Sequence, residues 1–243
     1  MSTVLERVHP ATGATALHHA CLSVIDGGGA SAARAVAPSA ALAAVAALLE
    51  AGAAADASVG SESIGSPSPR RAGSVPTCTE HETVLLGPAD AATMLPVGAT
   101  PLLLAARGNA YRLAGVLLEA RATGPEVAVD AAWPTTGEAD DAGATALHFA
   151  ARWGNVALVN ALLAAGANPA ACDARGWTPL HAAASRGRTD VCRALLDEGG
   201  PSPAVPVGDG GGGPSALDLA AEGGHDATAA ALREALASTR NPA

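Results

Sequence analysis

The sequence predicts an all-α solenoid, a row of about five helix-turn-helix repeats that carry long loop insertions. Three observations predict it. One segment recurs at a fixed offset, the apolar stripes within each copy keep a constant separation, and the apolar side chains are small. Of 243 residues, 49% are hydrophobic but only 2% are aromatic, so Ala, Leu and Val supply the core. Small side chains let helices approach closely, which suits a structure that is one helix pair thick.

The recurring segment is clearest between residues 141 and 199. GATALHFAARWG at 143–154 matches GWTPLHAAASRG at 176–187, and Leu147 and Leu180 lie 33 residues apart. Weaker copies of the same pattern are TALH at 15–18, TPLL at 100–103 and SALD at 215–218. In four copies the first-helix Leu and a Leu of the second helix are 15 residues apart, as the pairs 102/117, 147/162, 180/195 and 217/232 show. Self-similarity at a period of this size is typical of a solenoid.

Between these constant parts the chain carries insertions of different length. The distance from Leu17 to Leu48 is 31 residues instead of 15, which leaves 16 extra residues inside the first copy. We therefore predict a degenerate N-terminal repeat with an internal insertion over residues 1–56 and repeats two to five over 97–237. The Ser-, Pro- and Gly-rich segment 57–96 is expected to be disordered or looped out, and 238–243 to be a C-terminal tail.

These residues resemble the ankyrin repeat. Its pattern of Gly-x-Thr-Pro-Leu-His, Ala-Ala, a turn Gly, Leu-Leu and Gly-Ala is met best by residues 141–199, and the resemblance covers roughly two thirds of the chain. It implies stacked helix pairs that bind a partner protein on a concave and turn surface. It also implies that His18, His148 and His181, which recur at one repeat position, form structural hydrogen bonds rather than a metal or acid-base site.

The ends of the predicted helices have suitable chemistry. A hydroxyl residue precedes each first helix, where it can cap unpaired amide groups; these residues are Thr15, Thr100, Thr145, Thr178 and Ser215. Pro101 and Pro179 follow at the first helical position, where a missing N–H costs nothing. Gly154, Gly187 and Asn109 stand at the tight turn between helices.

Charge and cysteine content restrict the function classes. The net charge of −9 and a pI near 5.1 argue against a chain that grips nucleic acid or an anionic membrane. All 14 basic residues are Arg, and a P-loop is excluded because it needs Lys. The four cysteines are far apart and predict neither a disulfide framework nor a zinc site. With neither a secretory pattern nor a long apolar run, we expect a cytoplasmic monomer, with the nucleus as an alternative.

No motif indicates catalysis. The segment GDGGGG at 208–213 fits the dinucleotide-binding pattern GxGxxG, but it follows PSPAVP at 201–206 instead of a strand, so a flexible loop is expected. Neither a Gly-x-Ser-x-Gly nor a His-Glu-x-x-His motif is present. We therefore predict no catalytic residues, no cofactor and no metal.

A basic and aromatic set stands at the positions that the ankyrin architecture leaves variable. The predicted partner-binding residues are Arg107, Arg152, Trp153, Arg175, Trp177, Ser185, Arg186 and Glu222. Because Arg and Trp dominate binding hot spots, this set predicts a partner that offers carboxylates and apolar anchors. The alternative is that Trp177 packs on the next repeat and that the arginines only aid solubility.

The predicted function is that of a non-catalytic scaffold or adaptor that binds a partner protein. One alternative is a structural spacer or regulatory fragment of a larger multidomain protein, and another is an enzyme whose site is built from the insertions.

Within those insertions, Ser68 lies in a short match to a proline-directed kinase site. Residues 126–141 are acidic and are expected to form a solvated loop or a flap beside the binding edge.

Overall fold

A computed structural model describes residues 16–26, 38–51, 53, 98–121, 128–134, 141–207 and 213–240. In these ranges the regular structure is helical throughout, with only two isolated β-bridges. The helices are α1 (Ala16–Asp26), α2 (Pro38–Glu50), α3 (Pro101–Arg107), α4 (Tyr111–Arg121), α5 (Ala146–Trp153), α6 (Val156–Ala164), α7 (Pro179–Ala184), α8 (Thr189–Asp197), α9 (Ala216–Glu222) and α10 (Asp226–Arg240). The all-α class predicted from the sequence is confirmed.

The helices are stacked in two rows. Each odd-numbered helix contacts the even-numbered helix that follows it, and each pair contacts the next pair through both members. The first row is α1, α3, α5, α7 and α9, and the second is α2, α4, α6, α8 and α10. This arrangement is the predicted helical solenoid, in which a helix pair buries its apolar stripes only against its neighbours.

The leucines that set the repeat spacing form the core. Leu102, Leu147 and Leu180 in the first row are at most 1% exposed, and Leu117, Leu162, Leu195 and Leu232 in the second row are fully buried. Ala pairs beside the first-row leucines are buried as well, as at Ala105 and Ala106. Since Ala carries no side chain beyond Cβ, neighbouring first-row helices can pack closely along this stripe.

Helices α5, α7 and α9 each begin with a capping box. Thr145 N donates to His148 Nδ1 at 3.1 Å, and Thr145 Oγ1 lies 2.9 Å from the same nitrogen. Thr178 and His181 repeat this geometry at 3.2 and 2.8 Å. In the last pair an aspartate, Asp218, stands in place of the histidine, and its Oδ2 accepts from Ser215 N at 2.9 Å. These bonds satisfy amide groups that a helix start leaves unpaired.

The same histidines also join neighbouring helix pairs. His18 Nε2 lies 3.2 Å from Ala99 O, His148 Nε2 lies 2.8 Å from Trp177 O, and His181 Nε2 lies 3.1 Å from Val205 O. In His148 and His181, Nδ1 accepts from a backbone N–H and is therefore unprotonated, so Nε2 carries the proton and donates to the carbonyl. The structural role expected for the recurring histidine is therefore confirmed.

Where the histidine is absent, an insertion supplies the missing donor. Helix α3 has Leu103 at that position, and the carbonyl of Ala144 in the next pair instead accepts from the backbone N of Trp133 at 2.7 Å. At the last junction the histidine is present, but His181 bonds to Val205 O of an insertion, and Val207 N of the same insertion donates to Pro214 O at 3.1 Å. The insertions thus take part in joining the stack.

The acidic insertion is only partly a solvated loop. Residues 128–134 lie against the stack, and the side chain of Trp133 is only 3% exposed. Near the C-terminus of the sequence, α10 continues through Arg240. In the described ranges no helix combines the length and the apolar character needed to cross a membrane.

Several predicted features lie outside the described residues. These are the segment 57–96 with Ser68, the insertion inside the first helix pair, residues 241–243 and most of the GDGGGG loop.

Candidate partner-binding surface

A cavity of about 260 Å³ opens between α5 and α7 on the first row of helices. It is lined by Asp141, Ala144, His148, Phe149, Arg152, Asp173, Arg175, Trp177, Ala182, Ser185 and Arg186. We call it the arginine cavity. Five of the eight predicted partner-binding residues meet here, namely Arg152, Arg175, Trp177, Ser185 and Arg186.

The other three predicted residues lie outside the cavity but in register with it. Arg107, Arg152, Ser185 and Glu222 each stand five residues after the first-row Leu of their pair, so they form one line across α3, α5, α7 and α9. Arg107 and Glu222 occupy the ends of that line. Trp153 stands one position further on in α5, which is the position of Arg186 in the next pair.

Two buried carboxylates, which the repeat pattern does not predict, bind the arginines. Arg152 Nη1 donates to Asp141 Oδ1 at 2.6 Å, and Arg107 Nε donates to Asp141 Oδ2 at 3.2 Å. The side chain of Asp141 is 6% exposed, whereas those of Arg152 and Arg107 are 30% and 42% exposed. One carboxylate therefore links cationic groups of two successive helix pairs.

Asp173 fixes the loop that precedes α7. Its Oδ1 accepts from the backbone N of Arg175 at 2.9 Å and of Trp177 at 2.8 Å. Its Oδ2 accepts from Arg175 Nε at 3.2 Å and Nη2 at 3.0 Å. The guanidinium of Arg175 is thus held at two nitrogens above a structured turn. An aspartate three residues before Gly176 is a recognised turn signal, and it could have revealed this residue.

Each of these arginines also covers an aromatic ring. The guanidinium carbon lies 4.8 Å from the ring centre of Trp133 for Arg107, 5.2 Å from Phe149 for Arg152 and 4.6 Å from Trp177 for Arg175. Trp133 and Phe149 pack edge to face at 5.5 Å. Cation–π contacts and carboxylates together restrict the arginine side chains before any partner arrives.

Trp153 is exposed but anchored. It is 46% exposed, and its Nε1 donates to Arg107 O at 2.9 Å. Equivalent carbonyls in the next pairs receive other donors, because Arg188 Nε donates to Arg152 O at 3.4 Å and His225 Nε2 lies 3.3 Å from Ser185 O. At the turns between first and second helices, neighbouring pairs are thus joined by hydrogen bonds from side chains of different type.

Arg186 differs from the other cavity arginines. It is exposed, and it forms no salt bridge with a carboxylate among the described residues. Arg152 and Arg175 each hold a buried aspartate, whereas Arg186 presents its charge to the cavity alone.

The histidine in the cavity wall is neutral at physiological pH. Burial lowers the pKa of His148, and this effect outweighs the hydrogen bond to Trp177 and the charge of Asp173, which raise it. Burial likewise lowers the pKa of His181. The cavity lining therefore carries three guanidinium groups against two carboxylates, while the whole chain has a net charge of −9.

The Ser185 hydroxyl and two buried cysteines are engaged in structure. Ser185 Oγ donates to Ala182 O at 3.1 Å. Burial raises the pKa of the Cys21 and Cys192 thiols to about 12, which keeps both protonated. No cluster of three or more His, Cys, Asp or Glu side chains suited to a metal ion occurs within the described ranges. The arrangement is suited to holding an anionic group.

Comparison with known proteins identifies the repeat. The family model described as "Ankyrin repeats (many copies)" matches residues 147–196, which span α5 to α8 and both sides of the arginine cavity. No curated protein matches the chain. Ankyrin repeats generally mediate protein–protein interactions, and domains built from them are typically non-catalytic. Residues 147–196 are thus ankyrin repeats, and the helix pairs stacked on either side of them continue the same arrangement.

Proposed function

We propose that this protein is a scaffold or adaptor that binds a partner protein over the arginine cavity and the line of turns on either side of it, without catalysis. The observation that carries the proposal is the meeting of Arg152, Arg175, Trp177 and Arg186 around one cavity. Arg and Trp are enriched among residues that contribute most to protein binding, because both bury a large area and make directional contacts.

The restraint of these side chains supports a binding role. Arg175 is fixed by Asp173 and by the Trp177 ring, and Arg152 is fixed by Asp141 and by the Phe149 ring. Ordering a mobile side chain at an interface costs roughly 0.5–1.5 kcal/mol. Arginines that are already ordered avoid much of this cost when a partner binds.

The size of the cavity favours a protein partner over a metabolite. Pockets for small molecules typically occupy about 300–1,000 Å³ and enclose most of their ligand. The arginine cavity measures about 260 Å³ and is open to the turn surface. It accommodates one or two side chains of a larger molecule.

Affinity capture with matched variants tests this proposal. We expect the immobilised chain to enrich one or few proteins from native lysate, and the double variant Trp153→Ala/Arg186→Ala to lose them. Arg233→Ala is the control, because it removes an exposed arginine from α10, on the second row. Helicity by circular dichroism should be the same for all three proteins.

Two results would contradict the proposal. Equal capture by the double variant would remove this surface from consideration. Capture of no protein above background by the unaltered chain would favour a spacer that only positions other parts of an assembly.

A further inference from the structure

We infer that the arginine cavity receives an Asp or Glu side chain from an extended acidic segment of the partner, laid across the first helices in one direction. This inference rests on the proposed function and names the chemistry of the partner. It depends on three features: an arginine that holds no buried carboxylate, a cavity with room for a side chain, and a line of turn residues whose charge changes sign.

Arg186 provides the attraction. It lines the cavity, is exposed, and holds no carboxylate among the described residues. Beside it, the guanidinium of Arg175 is fixed above the Trp177 ring. A carboxylate that enters the cavity therefore meets one arginine that can reorient toward it and one whose position is already set. Arg–carboxylate pairs are among the strongest hydrogen-bonded contacts available at an interface.

The cavity lining fits the short apolar stem of an acidic side chain. Ala144, Ala182 and Phe149 supply apolar wall, and the neutral His148 adds no charge that would repel or attract the ligand. The volume of about 260 Å³ leaves room for such a side chain. An Asp or Glu side chain satisfies both requirements, with its methylene groups on the alanines and its carboxylate at the arginines.

The line of turn residues gives the segment a direction. From α3 to α9 the equivalent positions hold Arg107, Arg152, Ser185 and Glu222. Carboxylates of the partner are favoured toward α3 and disfavoured over Glu222, where like charges repel. Neighbouring helices pack roughly 8–10 Å apart, and an extended chain covers about 3.3–3.6 Å per residue. A segment of roughly eight residues therefore spans the line, with acidic residues toward α3 and a neutral or basic residue at α9.

Selection from a random peptide library tests the inference, with the full chain as target. We expect the selected peptides to contain Asp or Glu. Labelled synthetic copies should bind Arg186→Ala at least tenfold more weakly than the unaltered chain and Arg186→Glu more weakly still. Arg186→Lys, which keeps the charge but loses the planar fork, should retain part of the affinity. Arg233→Ala should bind as the unaltered chain does, and affinity should fall as salt concentration rises.

The direction has its own test. Two peptides are compared, one acidic throughout and one whose end over α9 is Lys. Glu222→Arg should increase the affinity of the first peptide more than that of the second. Equal effects on the two peptides would refute the direction. Arg186 is a better test residue than Arg152 or Arg175, because its loss leaves no buried aspartate without its cation.

Four outcomes would overturn the inference. The library yields no binding peptide, the selected peptides lack acidic residues, or acidic peptides bind Arg186→Ala and Arg186→Glu as tightly as the unaltered chain. The fourth is that oligothymidylate, used as a nucleic-acid probe, binds more tightly than acidic peptides do. The results that would refute the acidic ligand differ from those that would refute the proposed function. Neutral peptides that lose affinity in Arg186→Ala would refute the acidic ligand and leave the binding surface in place. Captured partner that is indifferent to Trp153→Ala/Arg186→Ala would refute the surface itself.

Discussion

Asp141 and Arg152 form the shortest ion pair among those described, with Arg152 Nη1 2.6 Å from Asp141 Oδ1. Asp141 comes at the end of an insertion, whereas Arg152 is in the last turn of α5, eleven residues further along the chain. The carboxylate also accepts from Arg107 of α3, so it connects the insertion to two helix pairs. The insertion between the second and third pairs is therefore a structural part of the stack and one wall of the arginine cavity.

Removing the charge of Asp141 should destabilise the protein moderately. Breaking a fully buried ion pair costs about 3–5 kcal/mol, but both arginines here are 30% or more exposed, so solvent screening reduces the effect. We expect Asp141→Asn to lower the free energy of unfolding by roughly 1–2 kcal/mol, as measured by urea denaturation. Glu119→Gln removes the same charge from an exposed position of α4 and should have little effect. Equal effects of the two substitutions would show that Asp141 holds no particular place in the stack.

Loss of the Trp133 side chain should be more costly. Trp133 is 3% exposed and packs on Phe149 and Arg107, so Trp133→Ala leaves a cavity in the core. Such truncations cost about 3–5 kcal/mol. Tyr111→Ala is the control, because Tyr111 is 53% exposed, and it should cost less than about 1 kcal/mol. Urea denaturation of both variants measures the difference, and a small effect at Trp133 would mean that the insertion does not pack on the stack.

Stability should fall as pH drops below about 6.5. The folded-state pKa values of His148 and His181 lie below the ordinary value of 6.5, so the unfolded chain takes up protons before the folded one does. Their neutral, hydrogen-bonded forms contribute fully above pH 6.5, and this contribution is lost as the pH falls from 6.5 toward the folded-state values. Urea midpoints across that range should show a loss in the unaltered chain. The double variant His148→Gln/His181→Gln should be less stable near neutral pH but should lose less on acidification; an equal loss would assign the pH dependence to other groups.

Substitutions at two glycines distinguish the cost of backbone strain from the cost of a steric clash. Gly143 and Gly166 both have positive φ, of 74° and 85°. A Cβ on Gly143 would lie 2.7 Å from the backbone N of Ala174, whereas a Cβ on Gly166 would meet open space. Gly166→Ala should therefore cost about 1–2 kcal/mol for the left-handed conformation alone, and Gly143→Ala roughly 1–3 kcal/mol more. Thermal or urea unfolding of the two variants gives the comparison, and equal costs would contradict the close contact of this loop with the next.

The repeat pattern predicted the fold because each helix pair satisfies the same local requirements. The residues Thr145, Leu147 and His148 stand in one fixed order: the threonine bonds to the histidine, the leucine is buried, and the histidine bonds to the next pair. Their roles could therefore be derived from spacing. The resemblance to the ankyrin repeat implied that Arg152, Arg175, Trp177 and Arg186 share one surface, and these four residues line one cavity.

The carboxylates and the insertion could not be derived in this way. Asp141 and Asp173 stand six and seven residues before their first-row leucines, so they do not share a repeat position. Their contacts depend on loop geometry, and those of Trp133 depend on how an insertion folds back on the stack. The acidic composition of residues 126–141 indicated exposure, but one aromatic side chain and two backbone hydrogen bonds to 143 and 144 determine how this segment packs.

Site-specific photo-crosslinking tests most directly whether a partner occupies the arginine cavity. A photo-crosslinking residue would be introduced at Ser185, in the cavity wall, and at Arg233, on the second row, in otherwise unaltered full-length chains exposed to native lysate. We expect the protein enriched by affinity capture to crosslink at Ser185, and Arg186→Glu in the same chain to abolish this product. Crosslinking of that protein at Arg233 and not at Ser185 would contradict it.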